Sequence, residues 1–275
     1  MRNIFTVDLE EWFHANYHEN IFDVNQSYEV RVLDNTYKLL KHFEENNIYA
    51  TFFVLGYIVK KHKKLLRDIQ DAGHEIASHG VNHSLVYTQS IQEFREDVYQ
   101  SKVLIEDAIH KQVKGYRAPS WSITNRSLWA LDVLHELGFI YDSSIFPIET
   151  FLYGIKDAER FINKPVINGE ECSVFEIPPS TMRLFSKTFA FSGGFFLRAF
   201  PLPIIKAFTN RINDVEGKPV VFYIHPREID KHQPKLHLKP LEYIIHYLNI
   251  NGCERKLKEI FKSYELTSIE KYFNF

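Results

Sequence analysis

The feature that most constrains the fold is an alternation of buried-strand and amphipathic-helix patterns over the first half of the chain. Short apolar runs are separated by longer segments whose apolar residues recur at helical spacing. The strand patterns are Ile4–Asp8, Tyr49–Leu55, His74–Ser78, Gly115–Arg117 and Phe139–Asp142. The helical patterns between them are Tyr28–Asn46, Ile58–Ala72, Ser90–Lys111 and Asn125–Leu137. This order is typical of parallel strands covered by helices, so we predict an α/β fold.

The second half of the chain is less regular but continues the same theme. Residues 143–180 are punctuated by prolines and contain one strand pattern, Val174–Ile177. Later patterns are a helix at Ala199–Asn213, a very apolar strand at Pro219–Ile224, and helices at Pro240–Asn249 and Cys253–Tyr264. We find no repeat, linker or low-complexity tract, and we therefore predict a single domain over residues 1–275.

Charge and cysteine usage exclude several classes of protein. Lys and Arg number 33 against 35 Asp and Glu, a net charge of −2, so nucleic acid is not an expected partner. No apolar stretch approaches the ~18 residues of a membrane span. Cys172 and Cys253 lie far apart, which favours a reducing compartment over a disulfide framework. The first apolar run is too short for a signal peptide, and we expect a cytoplasmic protein.

Unusual polar residues fall where the predicted strands end. Asp8, His79, Arg117, Asp142 and His225 each stand at or just past the carboxyl end of a strand pattern. In a parallel barrel those ends share one face, and that face carries the chemistry. A lone His after an apolar strand, such as His225, is equally compatible with a satisfied core residue or a catalytic one.

Two of these positions suggest a metal site. His79 and His83 are four residues apart, a spacing that places both rings on one side of a helical turn. Asp8, Glu10 and Glu11 crowd three acids at the first strand end, where a cation would relieve their repulsion. Two His and one carboxylate form a catalytic type of metal site. The alternatives are a surface His pair and an exposed acidic loop.

The order of these motifs resembles the NodB-homology polysaccharide deacetylases, the family-four carbohydrate esterases. The matching segments are TVDLE at 6–10, HGVNH at 79–83, RAP at 117–119, YDSS at 141–144 and IHP at 224–226. A closer similarity is to the subgroup found in exopolysaccharide and exosortase-linked gene clusters, through TVDLEEWFH, GYRAPSWSIT, SGGFFLRAFP and FYIHPREID. The resemblance implies a distorted (β/α)7 barrel, a divalent metal that is usually zinc, and an N-acetylated carbohydrate substrate.

The resemblance also implies roles for individual residues. Asp8 matches the general base, and Arg117 the arginine that positions it. His79 and His83 match the metal-binding pair. His225 matches the general acid, and Asp142 the acid that orients it.

One position departs from the family pattern. The residue after the base is Leu9, where the family usually has an acidic metal ligand. The expected ligand is therefore Glu10, with Glu11 as the alternative.

Two other functions remain open from the sequence. One is hydrolysis of small cyclic amides or ureides on the same fold, and the other is a degenerate deacetylase that only binds glycans. The expected reaction is removal of N-acetyl groups from a surface or extracellular glycan or its precursor.

Overall fold

A computed structural model describes residues 1–16, 28–150 and 152–275. Its strands are β1 (Asn3–Leu9), β2 (Thr51–Val54), β3 (Glu75–Ser78), β4 (Gly115–Tyr116), β5 (Tyr141–Asp142), β6 (Val166–Ile167), β7 (Glu170–Glu171), β8 (Phe175–Glu176), β9 (Thr181–Leu184), β10 (Lys187–Ala190), β11 (Val221–Ile224) and β12 (Leu266–Thr267). Its helices are α1 (Val32–Glu45), α2 (Gly56–Lys61), α3 (Lys63–Asp71), α4 (Ile91–Ile109), α5 (Ala130–Glu136), α6 (Gly194–Ala199), α7 (Leu202–Asp214), α8 (Pro240–Tyr247), α9 (Ile250–Ser263) and α10 (Ile269–Phe273).

Contacts divide the chain into two compact units, the first comprising residues 1–50 and 191–275. In this unit β1 pairs in parallel with β11 on one side and with β12 on the other. Every residue of β1 and β11 is buried, as expected for parallel strands covered on both faces. Phe5 of β1 packs edge-on against Phe43 of α1 and Phe261 of α9, so these helices form the apolar core of the unit together with the strands.

The second unit comprises residues 51–190. Strands β2, β3, β4, β5 and β8 pair in that order, all in parallel. Helix α4 begins with a capping box in which Ser90 and Glu93 bond each other's backbone N–H, and it packs on α2, α3 and α5. Two antiparallel hairpins, β6–β7 and β9–β10, complete the unit.

The α/β class and the parallel strands are confirmed, while several element boundaries differ from the prediction. The helix predicted at Ile58–Ala72 is broken at His62, whose extended φ of −138° separates α2 from α3. The helix predicted at Asn125–Leu137 is regular only over α5, and the β9–β10 hairpin was not predicted. The single domain over residues 1–275 stays a prediction. Within the described ranges, none of the helices combines the length and apolarity needed to cross a bilayer.

Candidate active site

The five strand-end residues lie where the sequence predicted. Asp8 is the second-last residue of β1 and Asp142 the last of β5, while His79, Arg117 and His225 directly follow β3, β4 and β11. Four of them are almost fully buried, and the His225 side chain is 13% exposed. Ionisable groups at this degree of burial require partners, since an unpaired buried charge is costly. Those partners define the chemistry of the site.

The acids after β1 separate into two roles. Glu10 directly follows β1, two residues after Asp8, and its side chain is buried. Glu11 instead turns to the start of α1, where its carboxylate accepts the backbone N–H groups of Arg31 at 3.0 Å and Val32 at 3.1 Å. This is how an acid stabilises a helix N-terminus, because the first N–H groups of a helix have no intrahelical partner. Glu11 is thus engaged in holding α1.

The two motif histidines belong to a tight loop, and the predicted helical turn between them is wrong. Gly80 and His83 both have positive φ, 74° and 61°, which reverses the chain inside the motif. Asp97 of α4 accepts the Val81 N–H at 3.2 Å and lies so close to Gly80 that an added Cβ would come within 2.7 Å of its carboxylate. Burial raises the pKa of Asp97 to about 6. Glycine at position 80 is therefore required by both backbone and space.

The His79 ring is oriented by the neighbouring strand end. Its Nδ1 lies 2.7 Å from the carbonyl oxygen of Arg117, a hydrogen bond that places the proton on Nδ1 and leaves Nε2 as an acceptor. A metal-binding histidine typically has such a backbone partner on its other nitrogen. The ring is therefore held in the tautomer that a metal site needs.

Among the residues that the structure describes, one group could hold a metal ion. It consists of Glu10, His79 and His83, whose nearest ligand atoms all lie within 4.8 Å of one another. Two imidazoles and one carboxylate are the ligand set of catalytic zinc sites, which keep a further position for water or substrate. The donor chemistry therefore fits the divalent metal, and Glu10 rather than Glu11 belongs to the group.

Arg117 is buried among polar and aromatic partners on the strand ends. Its guanidinium donates to the Ser143 hydroxyl at 2.8 Å and carbonyl at 3.2 Å, and it lies 4.1 Å above the Phe53 ring. The following residue, Ala118, donates its N–H to the Ser144 hydroxyl at 2.7 Å. The two serines of the YDSS motif thus anchor the Arg117 loop.

Asp142 has a carboxyl partner that sequence reasoning missed. Parallel pairing of β5 with β8 puts Asp142 directly beside Glu176, and both side chains are buried. Burial raises the pKa of Asp142 to about 6, and burial together with the Asp142 charge raises the pKa of Glu176 well above its usual range. Two adjacent buried carboxylates cannot both ionise cheaply, so the pair holds its protons to higher pH than exposed carboxyl groups would. Ser144 donates a hydrogen bond to Asp142.

His225 lies between carboxylates of its own unit. Its Nε2 is 3.7 Å from the Asp8 carboxylate, and its Nδ1 is 3.9 Å from Glu228. Burial lowers the pKa of His225, but the negative charges of Glu10, Glu228 and Asp8 outweigh it and raise the pKa above its ordinary value. The surrounding negative charge therefore favours the imidazolium form of His225.

Glu228 was also missed from the sequence, although its position three residues after His225 in HPRE is a capping-box spacing. Its carboxylate accepts the His225 backbone N–H at 3.3 Å and the Arg198 guanidinium at 3.0 Å. Burial raises the pKa of Glu228, yet contact with His225 and the charge of Arg198 together lower it to about 2. Arg198 is itself fixed by the Ile245 carbonyl at 2.8 Å. The result is a buried Arg198–Glu228–His225 chain.

The described parallel strands of this α/β protein carry a Glu–His–His group and an Asp–His pair at their carboxyl ends. Residues 21–141 match the family model described as polysaccharide deacetylase, and residues 143–274 match a domain of unknown function, DUF3473. Residues 21–141 are therefore similar to the polysaccharide deacetylase domain of the NodB type, and residues 143–274 to DUF3473, the exopolysaccharide-associated C-terminal region. The family assignment made from the motifs is confirmed.

Known relatives agree with this family. The chain is 28% identical over 152 residues to a peptidoglycan deacetylase of Helicobacter pylori, covering 51% of each chain, so it spans about half the length of that relative. It is 28% identical over 106 residues to a peptidoglycan-N-acetylglucosamine deacetylase of Bacillus cereus, covering 36% of this chain and 37% of the other.

Solved structures show the same fold. A Mycobacterium smegmatis protein assigned to the polysaccharide deacetylases superposes with a TM-score of 0.58 at 21% identity, covering 87% of this chain and 76% of the other. The peptidoglycan deacetylase PdaC of Bacillus subtilis gives 0.51 at 12% identity, covering 99% and 91%. This likeness confirms the predicted fold class, the α/β fold of NodB-type deacetylases with its parallel sheet.

Proposed function

We propose that this protein is a metal-dependent hydrolase that removes N-acetyl groups from the sugars of a surface or extracellular glycan or its precursor. The observation that carries the proposal is the coexistence of the Glu10–His79–His83 group with the Asp8–His225 pair. The named relatives act on peptidoglycan, which contains N-acetylated sugars, and this supports the same substrate class here.

The ligand set fits a divalent ion, with zinc the best match to two imidazoles and a carboxylate. Bound there, the ion would polarise the amide carbonyl and make a water more acidic. Glu10, His79 and His83 are the residues that would hold it. Arg117 contributes indirectly, because its carbonyl fixes the His79 ring.

We assign the two proton transfers of amide hydrolysis to Asp8 and His225, whose side chains lie 3.7 Å apart. Asp8, as a carboxylate, accepts the proton of the attacking water. His225, as an imidazolium, donates a proton to the departing amine. Each such transfer typically contributes about 10²–10⁴-fold to the rate. The products are acetate and a free amino sugar.

We assign the tuning of His225 to Glu228, because this carboxylate contacts the ring and is held by Arg198. That role was predicted for Asp142. Asp142 instead lies beside Glu176 in the register of β5 and β8, and it accepts the hydroxyl of Ser144, which in turn accepts the Ala118 N–H after Arg117. The positioning of Asp8 by Arg117 stays a prediction.

Release of acetate tests the proposed reaction. We expect the zinc-loaded protein to release acetate, with one new amine per acetate, from chitooligosaccharides or peptidoglycan fragments. A panel of small cyclic amides and ureides run beside the sugars should give no product. Turnover of the small amides alone would indicate a hydrolase of cyclic amides or ureides. Glycan binding without acetate release would indicate a degenerate deacetylase that only binds glycans.

Substituting Glu228 by Gln should shift the pH dependence of turnover. The negative charge of Glu228 raises the pKa of His225, so its removal lowers that pKa and the imidazolium is lost at lower pH. We expect the alkaline limb of the rate profile to move towards lower pH with metal content unchanged. Asp230→Asn is the control, since Asp230 pairs with Arg31 at 2.8 Å and its loss should leave the limb in place. An unmoved limb in Glu228→Gln would remove Glu228 from this role.

A further inference from the structure

The β9–β10 hairpin combines a fixed base with an exposed tip. Its register pairs Leu184 with Lys187, so the turn consists of only two residues, Phe185 and Ser186. At the base Met182 and Ala190 are buried, and Arg160 donates to the Thr181 carbonyl at 2.7 Å. The two-residue turn therefore lies at the end of a hairpin whose base is buried and hydrogen-bonded.

Phe185 is placed unfavourably at this tip on two counts. Its side chain is fully exposed, at 103% of its reference area, and its backbone has φ of 55°. In a two-residue hairpin turn, a positive φ at the first central position is the geometry that glycine serves best. A large aromatic residue in a left-handed conformation is uncommon. Neither burial in the core nor the geometry of the turn explains why phenylalanine occupies position 185.

The residues beside the tip are basic and aromatic. Arg183 and Lys187 are exposed, and Phe189 is 39% exposed. The hairpin contains no acidic residue, and neither does the whole sequence from Ile177 to Asn213, which has five Lys and Arg. Apolar side chains flanked by cations are the composition of segments that lie in a membrane interface.

We propose that the β9–β10 hairpin docks the protein on an anionic lipid bilayer, with Phe185 entering the boundary between headgroups and acyl chains. Arg183 and Lys187 then face lipid phosphates, whose negative potential attracts them. A protein partner fits less well, because a specific interface needs roughly 800 Å² from each side and a two-residue tip cannot supply it. A bilayer accepts a single inserted ring without shaped complementarity.

Co-sedimentation with vesicles tests this docking. The full chain should sediment with vesicles containing phosphatidylglycerol and much less with pure phosphatidylcholine, and added salt should weaken the binding. Phe185→Gly should lower the partition coefficient about tenfold or more, which corresponds to losing one buried aromatic ring. Its melting temperature should hold or rise, because glycine suits the positive φ. Arg183→Ser with Lys187→Ser should abolish the preference for the anionic lipid.

Val166→Ser is the matched control, since Val166 is also an exposed apolar residue, 67% exposed, but lies outside the hairpin. It should bind vesicles as the unsubstituted chain does. Undiminished binding by Phe185→Gly, or no binding of the unsubstituted chain to either vesicle, would overturn the proposal. A third outcome would also overturn the proposal: the chain binds chitooligosaccharide beads through Phe185 but does not bind vesicles. The Phe185 ring would then be assigned to glycan binding.

Discussion

Replacing both His79 and His83 by alanine should leave the protein folded but without its metal and without measurable turnover. The two rings are two of the three ligands in the Glu10–His79–His83 group, and one carboxylate does not retain a catalytic ion. Loss of Lewis-acid stabilisation is worth several kcal/mol, so turnover should fall by about 10³-fold or more. Elemental analysis of the dialysed protein gives the metal content, and acetate release gives the rate.

The control for the histidines is His135→Ala with His237→Ala, two exposed positions that should keep both metal and turnover. The carboxylate ligand is tested by a matched pair. Glu10→Ala should lose metal, whereas Glu11→Ala should keep it and lower the stability by about 0.5–2 kcal/mol, as when a helix cap is removed. Full metal occupancy in the double histidine variant would end the assignment of this site.

Asp8→Asn should abolish most turnover while the metal is retained. Asparagine keeps the size of the side chain but cannot accept the proton of the attacking water, and we expect a loss of about 10²–10⁴-fold. The Asp8 charge also helps to raise the pKa of His225. In Asp8→Asn, the alkaline limb of any residual activity should therefore move to lower pH. Rates across pH and elemental analysis of the same sample measure both effects.

Two outcomes would contradict this role for Asp8. Loss of metal from Asp8→Asn would make it a ligand, and turnover equal to that of the unsubstituted chain would leave the base unassigned. Asp230→Asn is again the structural control, because it removes a buried carboxylate whose partners are Arg31 and Asn35.

The sequence predicted those parts of the site that depend on residues close together in the chain. A polar residue ending an apolar strand can be recognised in the sequence, and parallel pairing then explains why Asp8, His79 and His225 stand at strand ends. The helical turn between His79 and His83 was wrong because the same spacing also fits a loop. The loop is bonded at the Val81 N–H to Asp97 of α4, a long-range contact that the spacing of the histidines does not reveal.

The missed residues depend on contacts between distant segments. Glu176 lies 34 residues after Asp142 and becomes its neighbour only through the register of β5 and β8. Glu228 is close to His225 in sequence, but its charge is sustained by Arg198, 30 residues earlier. An acid inside an apolar strand pattern, as in Val174–Ile177, was the available signal for Glu176.

The pairing of Asp142 with Glu176 also makes the stability of the fold depend on pH. In the unfolded chain both carboxyl groups would be ionised at neutral pH, whereas the folded strands raise both pKa values. Folding therefore takes up protons from neutral solution. The stability contributed by this strand edge is complete only below the ordinary carboxyl pKa of about 4 and is lost as pH rises through the raised folded pKa values, the reverse of the usual behaviour of carboxylates. Acidification strengthens the attachment of β8 to the sheet.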